Sequence, residues 1–544
     1  MQRIIAQFSL LLTLVAATSA WSQNAPANLP RRFWTIWPAA QFDAFPKFVL
    51  HARYADRTAY PLPATVDNSK KPFAAPLTRW VAQGYSCGNS AAGVVYSYEV
   101  QKTLNLPSTG TSPLFTYEFT YHQLNGGDQG EGGDSYMTAE AFDIYKVMGI
   151  PTSADFGGFE WGNSFGGWMS GYDKYYRAMK NRAEDYGKID ASTDAGQVLV
   201  KQYLHDQGDL SADGGLLNFQ ACDQYVKGTV GGRPVYNSMV KCRNHAMVIL
   251  GYDDAFNGGS FLVFDDYGYS GWMPYSFFKT GGPLAGTFGT TFMYCKMKKN
   301  YSPKVTLKIS LTHNQRENIS IRTGVANSAS AVAPTQVKTY GLAFNYSGGL
   351  YPMVGKGQGA TLEIGLDLTD FLTAPVAKVF LQVLSKGGVG QINSVTLMDY
   401  AGATVKEIPA VESNVAIAAG TATAPATTLV GIPWIGTVGV RDAGARIAAP
   451  GGSILAYRHG GPVRLRLGGA ASTEATLHIR DLRGLPVYGS RLRLDAASPE
   501  AVFLWGLKSQ RGESVPPGLY FASLKLSKGG KTIKTLVTKI HLVD

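Results

Sequence analysis

Cysteine is scarce in this chain: four residues of 544, at Cys87, Cys222, Cys242 and Cys295. No two of them form a CxxC pair, and Cys242 with His245 lacks the second pair that would complete a zinc site. Charge is sparse too, at 16% of residues. No nucleic-acid-binding fingerprint occurs, so nucleic acid is not an expected partner. Beyond the first twenty residues no apolar run reaches the ~20 residues that a membrane-spanning helix needs.

What is present is globular. The chain is 45% hydrophobic, with 63 glycines and 29 tyrosines, a composition suited to turn-rich, β-containing protein. At roughly 150 residues per domain, three or four units are expected. Residues 1–20 carry Arg3, an apolar run over 8–17 and the small residues Thr18, Ser19 and Ala20, the pattern of a secretory signal. The expected location is therefore outside the cytoplasm, secreted or at the cell surface. Of the net charge of +11, a share of +9 falls in residues 441–544, which hold sixteen Lys/Arg against seven Asp/Glu. That module has either a solvated basic surface or one suited to acidic headgroups or polysaccharide.

Periodicity places a helix over AAGVVYSYEVQKTL, a second over TAEAFDIYKVMG and a third around GQVLVKQYLHDQG. HAMVILGY and FLVFDDYG are short apolar runs bounded by Gly and Asp, and read as strands. Between 301 and 412, VTLKISL, KTYGLAFNY, ATLEIGLDL, AKVFLQVL and QINSVTLMDY predict a β-sandwich that carries no catalytic cluster. Residues 416–436, rich in Ala, Thr, Gly and Pro, read as a linker. VRLRL, ATLHIRDLRGLPVY, AVFLWGL, GLYFASLKL and TIKTLVTKIHLV then predict a further all-β module.

A thiol nucleophile needs a stabilised thiolate, a histidine to share its proton, a group to orient that histidine and donors for the oxyanion. Cys87 stands at a loop-to-helix junction, where the helix dipole favours the thiolate. Gln83 precedes it by one turn's worth of chain. His245 opens an apolar strand in NHAMVILGYDD, and Asp265 or Asp266 follows one strand later.

In order and spacing, residues 62–300 resemble the papain-like cysteine peptidases, especially a divergent secreted bacterial branch. The resemblance rests on LPATVDNS, QGYSCGNSAAG, NGGDQGEGG before the second helix, CRNHAMVILGYDD and DDYGYSGW. It implies an α+β domain with a helical lobe and a β-barrel-like lobe, acting on protein or peptide substrates with no metal or organic cofactor. Residue by residue it implies Gln83 as oxyanion donor, Cys87 as nucleophile, His245 as proton carrier and Asp265 as orienter. Gly132 and Gly133 match the pair that binds an extended substrate backbone.

The chain departs from the family pattern in CGNSAAG, which has neither the second Cys nor the Trp of the commoner motif. Aligning Cys87 with that motif's structural cysteine would place Ser90 at the nucleophile. The orienter is Asp where the family has Asn, and Asp266 is the alternative to Asp265. Two disulfide pairings are open, Cys222 with Cys242 or Cys242 with Cys295. A catalytically inactive papain-fold adhesin or binding protein is the alternative function.

LHIRDLRGLPVY, LWGLKSQRGESVPPGLYFASLKL and KTLVTKIHLV resemble the immunoglobulin-like domains of the flagellar hook-cap type that end many exported bacterial proteins. This implies contact with export machinery or the cell surface. The expected division is a signal peptide at 1–20, an N-terminal extension at 21–61, a papain-like domain at 62–300 and a β-sandwich at 301–415. A linker at 416–450 and an Ig-like domain at 451–544 complete it. A monomer is expected.

Overall fold

The computed structural model describes residues 45–49, 61–74, 87–108, 114–116, 120, 138–157, 168–209, 213–265, 267–285, 288–340, 350–355, 359–372, 376–402, 404–436, 454–458, 463–468, 474–481, 484–493, 500–516, 518–528 and 531–543. They fall into two compact units, one ending at residue 435 and the other spanning 436–544 with the short stretch 372–375.

The first unit opens with strand β1 (Thr65–Asp67) and the long helix α1 (Cys87–Leu104). Every residue of α1 from Cys87 to Gln101 is buried. A helix buried on all sides is a core helix, and the small residues Gly88, Ala91, Ala92 and Gly93 open it. Helices α2 (Thr138–Met148) and α3 (Tyr172–Met179) follow, then strand β2 (Ala183–Asp190) and helix α4 (Asp194–Asp206), capped by the Thr193 hydroxyl.

Next come β3 (Leu217–Val230), β4 (Arg233–Asp253), β5 (Ser260–Asp265), β6 (Tyr269–Pro274) and β7 (Thr291–Met297). They join β2 in a sheet ordered β2-β7-β3-β4-β5-β6, with β1 against β4. One core gathers Ala91, Ala92, Val94 and Val95 of α1, Phe142 and Tyr145 of α2, and Ala246, Val248 and Leu250 of β4. The other gathers Val200, Tyr203 and Leu204 of α4 with Met247 and Ile249. The alternation along β4 is that of a strand buried on both faces.

Edge strand β2 is covered by the N-terminal extension. Lys47 bridges Lys188 in parallel, the Phe48 N–H donates to Lys188 O at 3.0 Å, and the Lys188 N–H donates to Pro46 O at 2.9 Å. Phe48 packs edge-on against Tyr203 and Tyr294, and Phe45 against Tyr186. Gly187 makes this crossing possible, because a Cβ there would lie 2.5 Å from Pro46 O and 2.4 Å from the Tyr294 hydroxyl.

The β-sandwich belongs to the same compact unit. Its strands are β8 (Val305–His313), β9 (Ile319–Ala326), β10 (Gln336–Thr339), β11 (Thr361–Asp367), β12 (Val376–Ser385), β13 (Gly390–Asp399), β14 (Lys406–Pro409), β15 (Val415–Ala416) and β16 (Ala426–Gly436). The sheets run β10-β9-β12-β16 and β11-β8-β13-β14, with β15 on β13. The expected linker at 416–450 is thereby corrected. Its β-branched run ATTLVGI becomes β16 and completes a sheet, so the sandwich reaches residue 436. Residues 437–450 lie outside the described residues.

Polar groups tie the sandwich to the preceding lobe. The Arg182 guanidinium meets Asp367 at 2.8 Å and Asp370 at 3.0 Å, and the Tyr301 hydroxyl donates to Asp367 at 2.5 Å. The Tyr172 hydroxyl bonds Thr306 and Tyr400, and Gly365 lies under Met179 and Tyr175, where a Cβ would come within 2.6 Å of the Met179 methyl.

The second unit is all-β. Strands β17 (Ile454–Arg458), β19 (Glu474–Arg480), β20 (Pro486–Arg493), β22 (Gly518–Lys528) and β23 (Lys531–Val543) form one sheet; β18 (Val463–Gly468) and β21 (Glu500–Trp505) form a ribbon. Leu477, Ile479, Phe503, Trp505, Leu524 and Ile540 fill its core. The motif residues have structural tasks here. Asp481 takes the Leu485 N–H in a turn closed by Gly484 at φ +80°. Trp505 packs edge-on against Tyr520, whose hydroxyl donates back to Pro516 O.

Candidate functional site

Cys87 is the first residue of α1 and is buried. It carries a thiol rather than half of a disulfide, as does Cys295. The two thiols differ in setting. Cys295 lies on β7 with no exposure, and burial pushes its pKa well above the ordinary thiol value, with the nearby Glu99 charge adding to the effect. Cys87 lies at the positive end of an 18-residue helix, where backbone N–H groups stabilise a thiolate. Cys222 is disulfide-bonded and faces Cys242 across the β3–β4 ladder. Because Cys295 is reduced, the pairing of Cys242 with Cys295 is ruled out.

His245 and Asp265 meet. The histidine lies on β4 and the carboxylate ends β5, the next strand in the sheet. His245 Nε2–H donates to Asp265 Oδ1 at 2.9 Å, with the two side chains 1% and 0% exposed. The Tyr267 N–H donates to the same oxygen at 2.9 Å, and the Tyr225 hydroxyl donates to Oδ2. Tyr267 also stacks on the imidazole, with ring centroids 5.1 Å apart.

Burial by itself would raise the Asp265 pKa. The hydrogen bond and positive charge of His245, with the Tyr225 hydroxyl and the Tyr267 N–H, outweigh it and hold the carboxyl below the usual carboxylate range. Asp265 is therefore an anion at neutral pH, and it fixes the imidazole tautomer. With the Nε2 proton committed to Asp265, the lone pair of the neutral ring is on Nδ1.

The chain neighbours of the pair share a core with α1. Ala246 and Phe264, the chain neighbours of His245 and Asp265, pack in one core with Ala91 and Ala92 from the first turns of that helix. The fold thus gathers the beginning of α1, the middle of β4 and the end of β5 around one core. Ser90, the alternative nucleophile, sits one helical turn deeper and is fully buried, and its hydroxyl has no hydrogen-bond partner among the described residues. Gln83, Gly132, Gly133 and Asp266 lie outside the described residues.

Two contributors escape the sequence pattern. Tyr267 is visible only through the family motif, as the ring that follows the Asp pair. Tyr225 has no sequence signal, because the register of β3 shifts at Cys222 and again at Gln224, which breaks the alternation by which its direction would be read. Among the described residues no group of three or more His, Cys, Asp or Glu side chains is placed to hold a metal ion, and no helix is long and apolar enough to cross a membrane.

No family model matches the chain, and no curated protein matches it. Solved structures do. Xylellain, a cysteine protease from Xylella fastidiosa, is 14% identical and overlaps 47% of this chain and 92% of its own, with a TM-score of 0.32. Procathepsin B from Trypanosoma congolense is 13% identical over 47% of this chain and 84% of its own, with a TM-score of 0.33. Both of these neighbours are papain-like cysteine proteases. CopC from Methylosinus trichosporium OB3b, at 18% identity, overlaps 17% of this chain and 86% of its own with a TM-score of 0.13. Identities and scores of this size transfer no activity.

Proposed function

We propose that the chain is a secreted cysteine peptidase in which Cys87 attacks the peptide carbonyl, His245 carries the proton and Asp265 orients His245. The observation that carries this reading is the buried His245–Asp265 pair. It is bonded through Nε2 and adjoins the core into which the first turns of α1 insert. A structural histidine has no need of a fully buried carboxylate kept ionised by three donors. An imidazole that must accept a thiol proton does, because the imidazolium it becomes is stabilised there.

In the proposed cycle the thiolate adds to the carbonyl carbon and the oxyanion collapses. The C–N bond breaks as His245 delivers its proton to the leaving amine. Water, deprotonated by His245, then hydrolyses the thioester and restores the thiol. Gln83 is assigned the oxyanion donor from its place four residues ahead of Cys87, and Gly132 and Gly133 the substrate backbone. The basic C-terminal unit is assigned to export or surface attachment, following its motif resemblance.

Labelling of the purified full chain with an epoxysuccinyl thiol reagent at mildly acidic pH tests this, with mass-spectrometric mapping and His245→Ala as control. Labelling confined to Cys87 and lost in the control, followed by cleavage of fluorescent casein, is the expected result. An unlabelled Cys87 would overturn the peptidase reading in favour of a papain-fold binding protein.

A further inference from the structure

We infer that Tyr225 is a positioning residue of the site, holding the second oxygen of Asp265 so that a buried aspartate can orient His245. The inference rests on the peptidase reading and gives a specific task to one of the three donors around Asp265.

Asp265 has no exposure, so each of its oxygens needs donors from the protein. Oδ1 receives His245 Nε2–H and the Tyr267 N–H. Oδ2 receives the Tyr225 hydroxyl. A neutral amide at this position would place an NH₂ where Oδ2 lies and would present one oxygen to the histidine. A carboxylate instead presents a second acceptor that must be satisfied, and without Tyr225 its charge would draw on His245 and the Tyr267 N–H alone. The tyrosine thus answers the requirement created by aspartate at this position.

The fold aims Tyr225 at that oxygen by several means. The β3–β4 register shifts around Cys222 and Gln224, immediately before Tyr225, and such irregularities redirect a side chain. Cys222, in the middle of the irregular stretch, is locked in a disulfide. The Tyr225 ring is held by Tyr236 edge-on at 4.9 Å and by Tyr269 stacked at 6.0 Å. Tyr269 is fixed in turn by its hydroxyl, which donates to Val235 O. A ring gripped on two sides, next to a disulfide, delivers its hydroxyl to a set place.

The test is the rate of iodoacetamide alkylation of Cys87 in the full chain, measured by mass spectrometry across acidic and neutral pH, in wild type, Tyr225→Phe, Asp265→Asn and the double variant. Tyr225→Phe keeps the ring packing and removes only the donor. It is expected to slow alkylation at mildly acidic pH about tenfold and to move the acid limb of the profile to higher pH, because an aspartate with one donor fewer protonates more readily. If Tyr225 acts through Asp265, adding Tyr225→Phe to Asp265→Asn changes the rate by no more than about twofold. Tyr225→Phe matching wild type in rate and acid limb overturns the inference and leaves the peptidase reading intact. So does an undiminished effect in the Asp265→Asn background, which would mark Tyr225 as packing alone. A wild-type Cys87 no faster than an ordinary thiol overturns the peptidase reading itself, and the inference with it.

Discussion

His245 Nε2–H donates to Asp265 Oδ1 at 2.9 Å inside the protein, where neither side chain touches bulk water. Breaking a buried pair by removing one member strands the other. Asp265→Ala leaves the His245 N–H and the Tyr225 hydroxyl without their acceptor, and should destabilise the fold by about 3–5 kcal/mol in denaturant unfolding. Asp265→Asn keeps an acceptor and should cost less.

The same pair sets an acid dependence. The Asp265 carboxyl titrates lower in the folded protein than in the unfolded chain, so the unfolded state binds the extra proton first as pH falls. The stabilisation is complete above the ordinary carboxylate range and is lost as pH drops through the folded value. In thermal melts, the stability advantage of wild type over Asp265→Asn should therefore shrink on acidification; an advantage that grows would refute the assignment of direction.

Thiol chemistry separates the cysteines. In denaturant without reductant, two thiols should react with a disulfide reagent, those of Cys87 and Cys295. In the native protein Cys87 should react and Cys295, buried and with a raised pKa, should not. Four reactive thiols in denaturant would contradict the disulfide at Cys222.

Sequence patterns locate most of the elements that carry the site, and the reason is physical. Cys87 opens a helix of small residues, His245 lies in an apolar strand, and Asp265 ends the next strand. Each signal is local. What the patterns miss depends on contacts distant in sequence. β2 reads AEDYGKID, too polar for a strand by composition, and is a strand because Phe48 and β7 cover its two edges. β16 reads as a linker because Ala, Thr and Gly dominate it, yet β12 supplies the ladder that orders it. Tyr225 reads as one more aromatic until the register shifts of β3 turn it toward Asp265.

The N-terminal segment should stay with the working protein. Phe45 and Phe48 are 8% and 7% exposed and insert into the two separate cores of the lobe. Phe48→Ala should cost about 3–5 kcal/mol. N-terminal sequencing of the purified protein should find that any processing ends before Phe45. A mature chain beginning after Val49 with unchanged melting temperature would show that the segment is dispensable. Gly187→Ala should perturb the same crossing, since its methyl would fall on Pro46 O and the Tyr294 hydroxyl.

The sandwich should not be removable from the lobe that carries Cys87 and His245. Arg182 is 6% exposed and Asp367 3%, and their contact at 2.8 Å is shared with Tyr301, while Asp370 binds both Arg182 and Lys298. Desolvation disfavours the Arg182 charge, but the Asp367, Tyr301 and Asp370 groups around it more than compensate and raise its pKa. Removing the cation leaves Asp367 buried beside another carboxylate, the costly half of a broken pair. Arg182→Ala should lower stability by about 3–5 kcal/mol, whereas Arg182→Met with Asp367→Leu, which removes both charges and keeps the volume, should recover much of that loss. If the two lobes melt separately in wild type and Arg182→Ala moves neither transition, the contact is incidental. A single transition that shifts with Arg182→Ala would mean that the lobe carrying Cys87 and His245 owes part of its stability to the sandwich.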